Sequence, residues 1–381
     1  MKPDLAGVYI TDDHIDVLLG RDAAPSARKL NIASLTLLYN LKSVADDPDD
    51  DDVNRFFFKD RSVERTIDET CRWIASKTDH LRSVGIASYG PFVTIARNDR
   101  WSFMDTIGSQ PDAYGRLQRT SHGRLSEKPI AKLFQRAISK HFGGSRPLIT
   151  VDTDVSAAAI GEAYNRSKKA DGSRDPSVDN EVFVFAKISL GVGAAFMRAQ
   201  TTWHGRLHTE GGQIHVPLWP STNPEEAAKE EIFMRHLQGM RGHPAVPVRN
   251  PGSVESLASV PAIEARFAPH SFAELKEDPM HIAWEREAWY IAQMLWSITC
   301  IVSPHRVVTG GRVMGVPGLL GKVRMQFSSI AGSPSFPDYE ELREIKTYIS
   351  EASESEVGFI GRPGIIGALC IAAMEPQRYT K

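Results

Sequence analysis

Cysteine is scarce in this sequence, with only three in 381 residues. Cys71, Cys300 and Cys370 lie far apart, and each falls within an amphipathic or apolar helical pattern. Because there is no Cys-X-Cys or Cys-X-X-Cys pair, the sequence offers no thiolate metal site. The three residues are predicted to be reduced thiols in the core.

Neither an excess of charge of one sign nor a long apolar run is present. The formal net charge is −2, which predicts no nucleic-acid partner and no anionic membrane partner. No apolar stretch approaches the roughly 20 residues of a membrane span, and the opening residues lack the apolar region of a signal peptide. The expected location is therefore the cytoplasm, with small molecules as partners.

Strand and helix patterns alternate along the chain, and its length suggests about two domains of roughly 150 residues each. Two alternating apolar stretches flank TDDH near the start and predict a β-hairpin. Near the end, ELREIKTYISEA predicts a helix, EVGFIGRP a strand and GIIGALCIAAM a second helix. This alternation predicts α/β layers with parallel strand pairing.

The segment LITVDTDVSAAAIGEAYN places an aspartate where an apolar strand turns into an alanine-rich helix. One interpretation is a helix N-cap, in which a short oxygen side chain accepts a hydrogen bond from a free amide. The candidates for that cap are Asp152, Thr153, Asp154 and Ser156. The other interpretation is a catalytic base, because open α/β sheets bind ligands at the carboxyl ends of their strands. By itself the motif favours the cap, since such residues commonly start helices.

Six segments follow one another from about residue 83 to about residue 375: GIASYGPF, TDVSAAAIGE, HTEGGQIHV, ESLASVPAIEARF, YIAQMLWSITCIVSPHRVVTGGRVM and GIIGALCIAAM. Together they resemble the ROK family of bacterial sugar kinases, and within it the fructokinase branch. The resemblance implies a two-domain α/β fold of the actin-like ATPase/ribonuclease H-like type, with sugar in the cleft and ATP on the second domain. Residues 1–146 are expected to form a smaller N-terminal domain and residues 147–381 a larger C-terminal domain, whose last helix, about 364–375, can pack back on the first.

The resemblance assigns Asp154 as the base that takes the proton from the sugar hydroxyl that attacks the γ-phosphate. A carboxylate at a cleft-facing helix start suits this role, and the cap is compatible with it. Glu210 and Glu255 match sugar-binding glutamates of the family, although without the resemblance they would be taken for surface acids. His208 is a third implied sugar contact, or only orients the turn. The remaining candidate substrate-binding residues are Thr153 and Gly90.

The first departure from the family pattern lies on the ATP side. The family opens with an acidic residue and a Gly-Gly-Thr-Lys loop that receives phosphates, whereas this stretch reads YITDDH. Tyr9 replaces the acid that helps to organise Mg²⁺, and Asp12 and Asp13 bring negative charge to where phosphate would approach. The loop is therefore not expected to hold ATP in the family's way.

The second phosphate loop, T-x-G-T-G-x-G in the family, becomes KISLGVG. Lys187 replaces the first threonine, where it either offers the phosphates a positive charge or points to solvent, as lysines at strand ends commonly do. The double glycine that lies against adenosine in the family is retained. The candidate cofactor-binding residues are Lys187, Gly191, Gly193, Gly310 and Gly311.

Zinc is not expected. The family site uses the histidine that ends H-x-E-x-G-H and a Cys/His cluster ahead of the ESLAS-like segment. Gln213 replaces that histidine, and residues 240–256 contain no cysteine. His243 alone cannot hold zinc, so another contact, such as the prolines of HPAVPV, is expected to brace this turn.

The leading hypothesis is phosphorylation of a hexose by ATP with Mg²⁺. ATP, Mg²⁺ and the choice of fructose as the sugar are all taken from the resemblance. The alternative is a catalytically reduced ROK protein that binds sugar as a regulator or scaffold, because both phosphate loops are altered. A ROK transcriptional repressor is disfavoured, since its helix-turn-helix would precede a first strand that begins near residue 5. The resemblance also implies a homodimer.

Overall fold

The computed structural model is described for residues 2–11, 13–22, 35–37, 55–59, 61–90, 95–97, 100–102, 125, 128–144, 146–167, 175–198, 201–204, 208–239, 250–332, 344–353 and 362–374. Its strands are β1 (Leu5–Ile10), β2 (His14–Asp22), β3 (Leu35–Leu37), β4 (Arg55–Phe57), β5 (Ser83–Ser88), β6 (Ile95–Arg97), β7 (Arg100–Ser102), β8 (Leu148–Thr153), β9 (Val182–Ile188), β10 (Val192–Arg198), β11 (Thr201–Thr202), β12 (Arg306–Gly310) and β13 (Ile349–Glu351). Its α-helices are α1 (Val63–Lys77), α2 (Ile130–His141), α3 (Asp154–Ser167), α4 (Pro224–Gly239), α5 (Val254–Ala258), α6 (Val260–Arg266), α7 (Phe272–Lys276), α8 (Ala283–Val302), α9 (Leu319–Ala331), α10 (Ile345–Tyr348) and α11 (Arg362–Ala373). None of these helices is long and apolar enough to cross a membrane.

The first sheet has the strand order β3-β2-β1-β5-β8, and β4 also pairs with β2. Strands β1 and β2 pair antiparallel, which confirms the predicted hairpin. The pairs β1–β5 and β5–β8 are parallel, so that Ser88 and Thr153 end their strands side by side. Helices α1 and α2 cover this sheet with a core that includes Ile67, Ile86 and Phe134.

The second sheet has the strand order β11-β10-β9-β12-β13. Strands β9 and β10 form an antiparallel hairpin, and β12 runs parallel to both of its neighbours, β9 and β13. Helices α5, α8 and α9 bury a core against it in which Trp284, Tyr290 and Phe327 are the largest fully buried side chains. Parallel pairing in both sheets agrees with the α/β architecture predicted from the alternation of patterns.

Helices α3 and α11 lie between the two sheets and pack against each other. Their approach is close because Gly161 and Gly367 carry no side chain: a Cβ at either position would overlap the backbone of the facing helix. Helix α11 contacts β1 and β5 as well as α3, whereas β8, which begins at residue 148, completes the first sheet. The division into domains at residue 147 stays a prediction.

Two predictions from the sequence are wrong. ELREIKTYISEA was expected to be one helix, but of its described residues, 344–352, only Ile345–Tyr348 are helical, and the next three form β13. Ile349 pairs with Val307 and is fully buried in the sheet, so tertiary pairing overrides the local helical pattern. Cys300 is exposed on α8, whereas Cys71 and Cys370 are buried as predicted. The segment EVGFIGRP lies outside the described residues, apart from its last two.

Candidate active site

Three polar side chains meet where strands of the two sheets end. Tyr9 is the next-to-last residue of β1, Asp154 directly follows β8, and Lys187 is the next-to-last residue of β9. The Lys187 ammonium donates to Asp154 Oδ2 and lies 3.3 Å from the Tyr9 hydroxyl, to which it also donates. The side chains of Lys187 and Asp154 are only 17% and 14% exposed. A carboxylate and an ammonium group are thus held together between the two sheets.

The start of α3 shows why the Asp154 carboxylate is available for this contact. Thr153 Oγ1 accepts a hydrogen bond from the Ser156 N–H at 3.1 Å and donates to Ser156 Oγ at 2.8 Å. Thr153 is therefore the residue that caps the helix. Asp154 Oδ1 accepts only from the adjacent Val155 N–H, at 3.0 Å, and Oδ2 turns towards Lys187. Of the four cap candidates, the structure selects Thr153.

Lys187 does not point to solvent. Burial lowers the pKa of its ammonium group, but Asp154 and Tyr9 raise it by more, and the net pKa lies above the usual lysine value. Burial raises the pKa of the Tyr9 phenol above its usual value despite the opposing effect of Lys187. At neutral pH the cluster consists of an ammonium, a neutral phenol and the carboxyl group of Asp154.

A second pair of side chains, not singled out from the sequence, fixes the backbone beside Asp154. Asp152 Oδ1 accepts the Thr153 N–H at 2.6 Å, and Oδ2 lies 3.0 Å from His204 Nε2 and 3.3 Å from the Thr202 hydroxyl that donates to it. The sequence indicates Asp152 only as a possible cap, and no pattern in it links Asp152 to His204. Both belong to the structure that holds the end of β8 in place.

Glu255 is engaged by the protein itself. Its Oε2 accepts the Val192 N–H at 3.0 Å, and its Oε1 accepts from Gln213 Nε2 at 3.2 Å. Glu255 therefore ties helix α5 both to the β9–β10 turn and to the 3₁₀ helix Gly211–Gln213. A sugar that bound this carboxylate would have to share it with these donors.

The other candidate sugar contacts are His208, Glu210, Gly90 and Thr153. His208 Nε2 and Glu210 Oε1 are 2.8 Å apart, and the Glu210 side chain is 47% exposed, open to a ligand. Gly90 follows β5, the strand that neighbours β8. Thr153 uses its hydroxyl in the cap. The roles of all four in sugar binding stay predictions.

Direct hydrogen bonds brace the turn at which the family binds zinc. His215 Nε2 lies 2.7 Å from Asn250 Oδ1, and the Val254 N–H donates to the Ile214 carbonyl at 2.9 Å. The prolines expected to brace this turn fall in residues 240–249, outside the described ones. Among the described residues, no group of three or more His, Cys, Asp or Glu side chains is placed to hold a metal ion.

In the first hairpin turn, neighbouring side chains contact the Asp13 carboxylate. Asp13 Oδ1 accepts from the Thr11 hydroxyl at 2.8 Å and lies 2.6 Å from His14 Nδ1. Partial burial raises the pKa of Asp13, but these contacts lower it by more. Asp12, its neighbour in YITDDH, lies outside the described residues.

The glycines proposed for nucleotide binding pack closely against the protein. A Cβ on Gly193 would come within 2.8 Å of Val155 on α3. Gly311 has φ +101° and lies directly against the Ile188 carbonyl, so only glycine suits this position. Gly310 ends β12 beside it. The two loops that carry these residues meet at the end of β9, and their role towards a nucleotide stays a prediction.

Comparison with characterised proteins finds relatives over most of the chain. A fructokinase from Streptococcus mutans is 27% identical over 293 residues, which is 77% of this chain and 81% of that protein. A fructokinase from Zymomonas mobilis is 26% identical over 255 residues, 67% of this chain and 69% of the other.

Solved structures share the fold. A ROK hexokinase from Thermus thermophilus superposes with a TM-score of 0.55 at 18% identity over 98% of each chain. A ROK family transcriptional regulator gives a TM-score of 0.52 at 13% identity over 97% of this chain and 79% of that one. These likenesses confirm the predicted actin-like ATPase type of α/β fold. The sequence model described as the ROK family matches residues 60–347, and because this is most of the chain, the protein belongs to the ROK family.

Proposed function

We propose that the protein transfers the γ-phosphoryl group of ATP to a hydroxyl of a hexose, with fructose as the sugar and Asp154 as the general base. The observation that carries the proposal is the contact between Asp154 and Lys187, because a carboxylate suited to act as a base and an ammonium group suited to bind phosphate lie together between the two sheets. The fructokinase relatives, similar over most of the chain, support the choice of reaction and sugar.

In this reaction a sugar oxygen attacks the γ-phosphorus, its proton passes to Asp154 Oδ2, and ADP leaves. While its ammonium group donates to Oδ2, Lys187 lowers the proton affinity of that carboxylate, so its departure would strengthen Asp154 as a base. The exposed Glu210, with His208 beside it, and Glu255 would receive the other sugar hydroxyls.

The nucleotide would lie over the glycine loops at the end of β9, where Gly191 and Gly193 adjoin the phosphates and Gly310 and Gly311 adjoin the adenosine. Lys187, which begins the same stretch, would pair with a phosphate. The described side chains around Asp154 do not provide the oxygen ligands that Mg²⁺ takes, so no step is assigned to magnesium. The homodimer implied by the resemblance stays a prediction for sedimentation analysis.

A second candidate function is sugar binding without catalysis. It is favoured by the same ion pair, because the ammonium group of Lys187 stabilises the Asp154 carboxylate and so weakens it as a base. Glu255, which is held by Val192 and Gln213, is also already engaged. If these contacts persist when ligands bind, the protein would act as a sugar-dependent regulator or scaffold.

Phosphorus NMR of the protein incubated with ATP and fructose separates the two functions. The kinase proposal expects sugar phosphate and ADP to form in equal amounts, faster with fructose than with glucose or mannose. Each reaction is run in excess magnesium and in excess EDTA, so that the result does not depend on the metal. Calorimetric binding of fructose without any sugar phosphate would establish the second candidate and contradict the first.

A further inference from the structure

Among the described residues, the two carboxylates beside Tyr9, those of Asp16 and Asp154, are paired with cations of the chain. Asp16 lies opposite Tyr9 in the hairpin, and its two oxygens accept from Arg55 at 2.6 and 2.9 Å. His14 Nε2 also lies near this carboxylate, 3.3 Å from Asp16 Oδ2. Both carboxylates beside Tyr9 are thus already engaged by side chains of the protein.

Mg²⁺ needs oxygen ligands in near-octahedral geometry, supplied by one or two carboxylates together with phosphates and water. At this edge of the sheets, Asp154 faces an ammonium and Asp16 faces a guanidinium. A divalent cation would have to displace a cation that is covalently part of the chain. As long as these ion pairs persist, the described side chains around Asp154 therefore do not fit magnesium.

The Lys187 ammonium group is suited to supply the positive charge that magnesium would otherwise bring to the phosphates. Its side chain is largely buried, it stays protonated beside Asp154, and it adjoins the turn that contains Gly191 and Gly193. An ammonium group binds phosphate as a point charge, and its attraction is stronger where water is excluded. A triphosphate carries several negative charges against the single charge of Asp154, so it can compete for Lys187.

We propose that Lys187, rather than magnesium, neutralises the phosphates of the bound nucleotide, and that its move from Asp154 to phosphate frees the base. The inference rests on the proposed function, since it takes the ligand to be ATP. Lys187 remains an ammonium throughout, and Asp154 is left as a free carboxylate able to accept the sugar proton. Nucleotide binding would thereby couple to activation of the base.

The test is calorimetric titration of the full-length protein with ATP, in excess EDTA and in excess magnesium. Wild-type protein is expected to bind ATP in EDTA at least as tightly as in magnesium. Lys187→Met is expected to weaken binding in EDTA by about tenfold or more. Lys322→Met is the matched control, because Lys322 forms a similar pair with Glu285 and is 18% exposed, as against 17% for Lys187.

Removal of Lys187 alone leaves Asp154 without its cation and can unfold the protein. The double variant Asp154→Asn with Lys187→Met removes both charges and keeps the test valid, with the single variant Asp154→Asn as its reference. If the double variant binds ATP as tightly as Asp154→Asn does, Lys187 is not the phosphate ligand and the inference is wrong.

ATP binding in magnesium and in EDTA distinguishes failure of the Lys187 inference from failure of the proposed kinase function. ATP binding to wild type that is about tenfold or more tighter with magnesium than with EDTA would overturn the inference, while sugar phosphate formation would still support the kinase. Absence of ATP binding under both conditions would overturn both. Binding in EDTA that is lost in Lys187→Met but not in Lys322→Met establishes the role of Lys187.

Discussion

His204 Nε2 lies 3.0 Å from Asp152 Oδ2, although 52 positions separate the two residues in the sequence. The other oxygen of Asp152 holds the Thr153 N–H, so the contact fixes the backbone that presents Asp154. Burial lowers the pKa of His204, but Asp152 raises it by more, and the net pKa lies above the usual histidine value. A charged pair therefore braces the end of β8 when His204 is protonated.

Replacing His204 by Gln should make the stability of the protein less dependent on pH. Because the pKa of His204 is raised by folding, its contribution is fully present below the pKa of an unfolded histidine, about 6.5, and is lost as pH rises through the folded pKa. We expect His204→Gln to cost about 1–2 kcal/mol in the free energy of unfolding near pH 6 and less at higher pH. Urea unfolding across this range, with the exposed His80→Gln as control, tests it. A difference from wild type that does not change with pH would contradict the prediction.

A cluster of charged side chains between α4, α6 and α8 should make the stability of the protein depend on pH in a second way. Three carboxylates, of Glu226, Glu230 and Glu287, share the two guanidinium groups of Arg266 and Arg286. One carboxyl group is thus in excess. Burial raises the pKa of Glu287 to about 8, against the opposing effect of Arg266 and with Glu230 adding to the rise. The stability that this proton provides is full below the pKa of an unfolded glutamate and is lost as pH rises towards 8.

Glu287→Gln should therefore gain stability relative to wild type as pH rises, because the amide stays neutral and still accepts from Arg266. We expect an advantage of about 1–3 kcal/mol above the folded pKa of Glu287 and little difference in mild acid. Denaturant unfolding in mild acid and above the folded pKa of Glu287 measures this advantage, and Glu277→Gln, at an exposed position, serves as control. An advantage for Glu277→Gln of the same size would show that net charge, and not the buried carboxyl, is responsible.

Local patterns predicted much of this fold, since the hairpin at β1–β2 and the turn of β8 into α3 follow from alternation and composition. They could not choose among four adjacent cap candidates, because the choice of Thr153 depends on which oxygen reaches the Ser156 N–H. Nor could they place Lys187 beside Asp154, since the two belong to different strands and meet only when the sheets pack. The sequence favours the exposed interpretation of a strand-end lysine, and only the tertiary structure shows that Lys187 is largely buried.

We expect the purified protein to contain no stoichiometric zinc, because Gln213 and direct contacts such as His215–Asn250 stand where the family's zinc ligands brace the turn. Elemental analysis should find far less than one zinc per chain, and EDTA should leave the melting temperature unchanged. Asn250→Ala, in contrast, should lower stability by about 1 kcal/mol through loss of the His215 contact. One tightly bound zinc per chain would refute the prediction.

Asp154→Asn should distinguish the role of Asp154 in catalysis from its role in stability. An amide cannot take the hydroxyl proton, so phosphoryl transfer to fructose should fall by about 10²-fold or more. The start of α3 should persist because Thr153 caps it, but Lys187 loses its counter-charge, at a cost of about 1–3 kcal/mol in stability. Glu285→Gln, which weakens the comparable pair that Lys322 forms between α8 and α9, controls for that cost. The measurement is kcat for folded protein, together with the melting temperature and the Kd for fructose. A lower kcat with an unchanged Kd would support Asp154 as the base, whereas an unchanged kcat in the folded variant would rule it out.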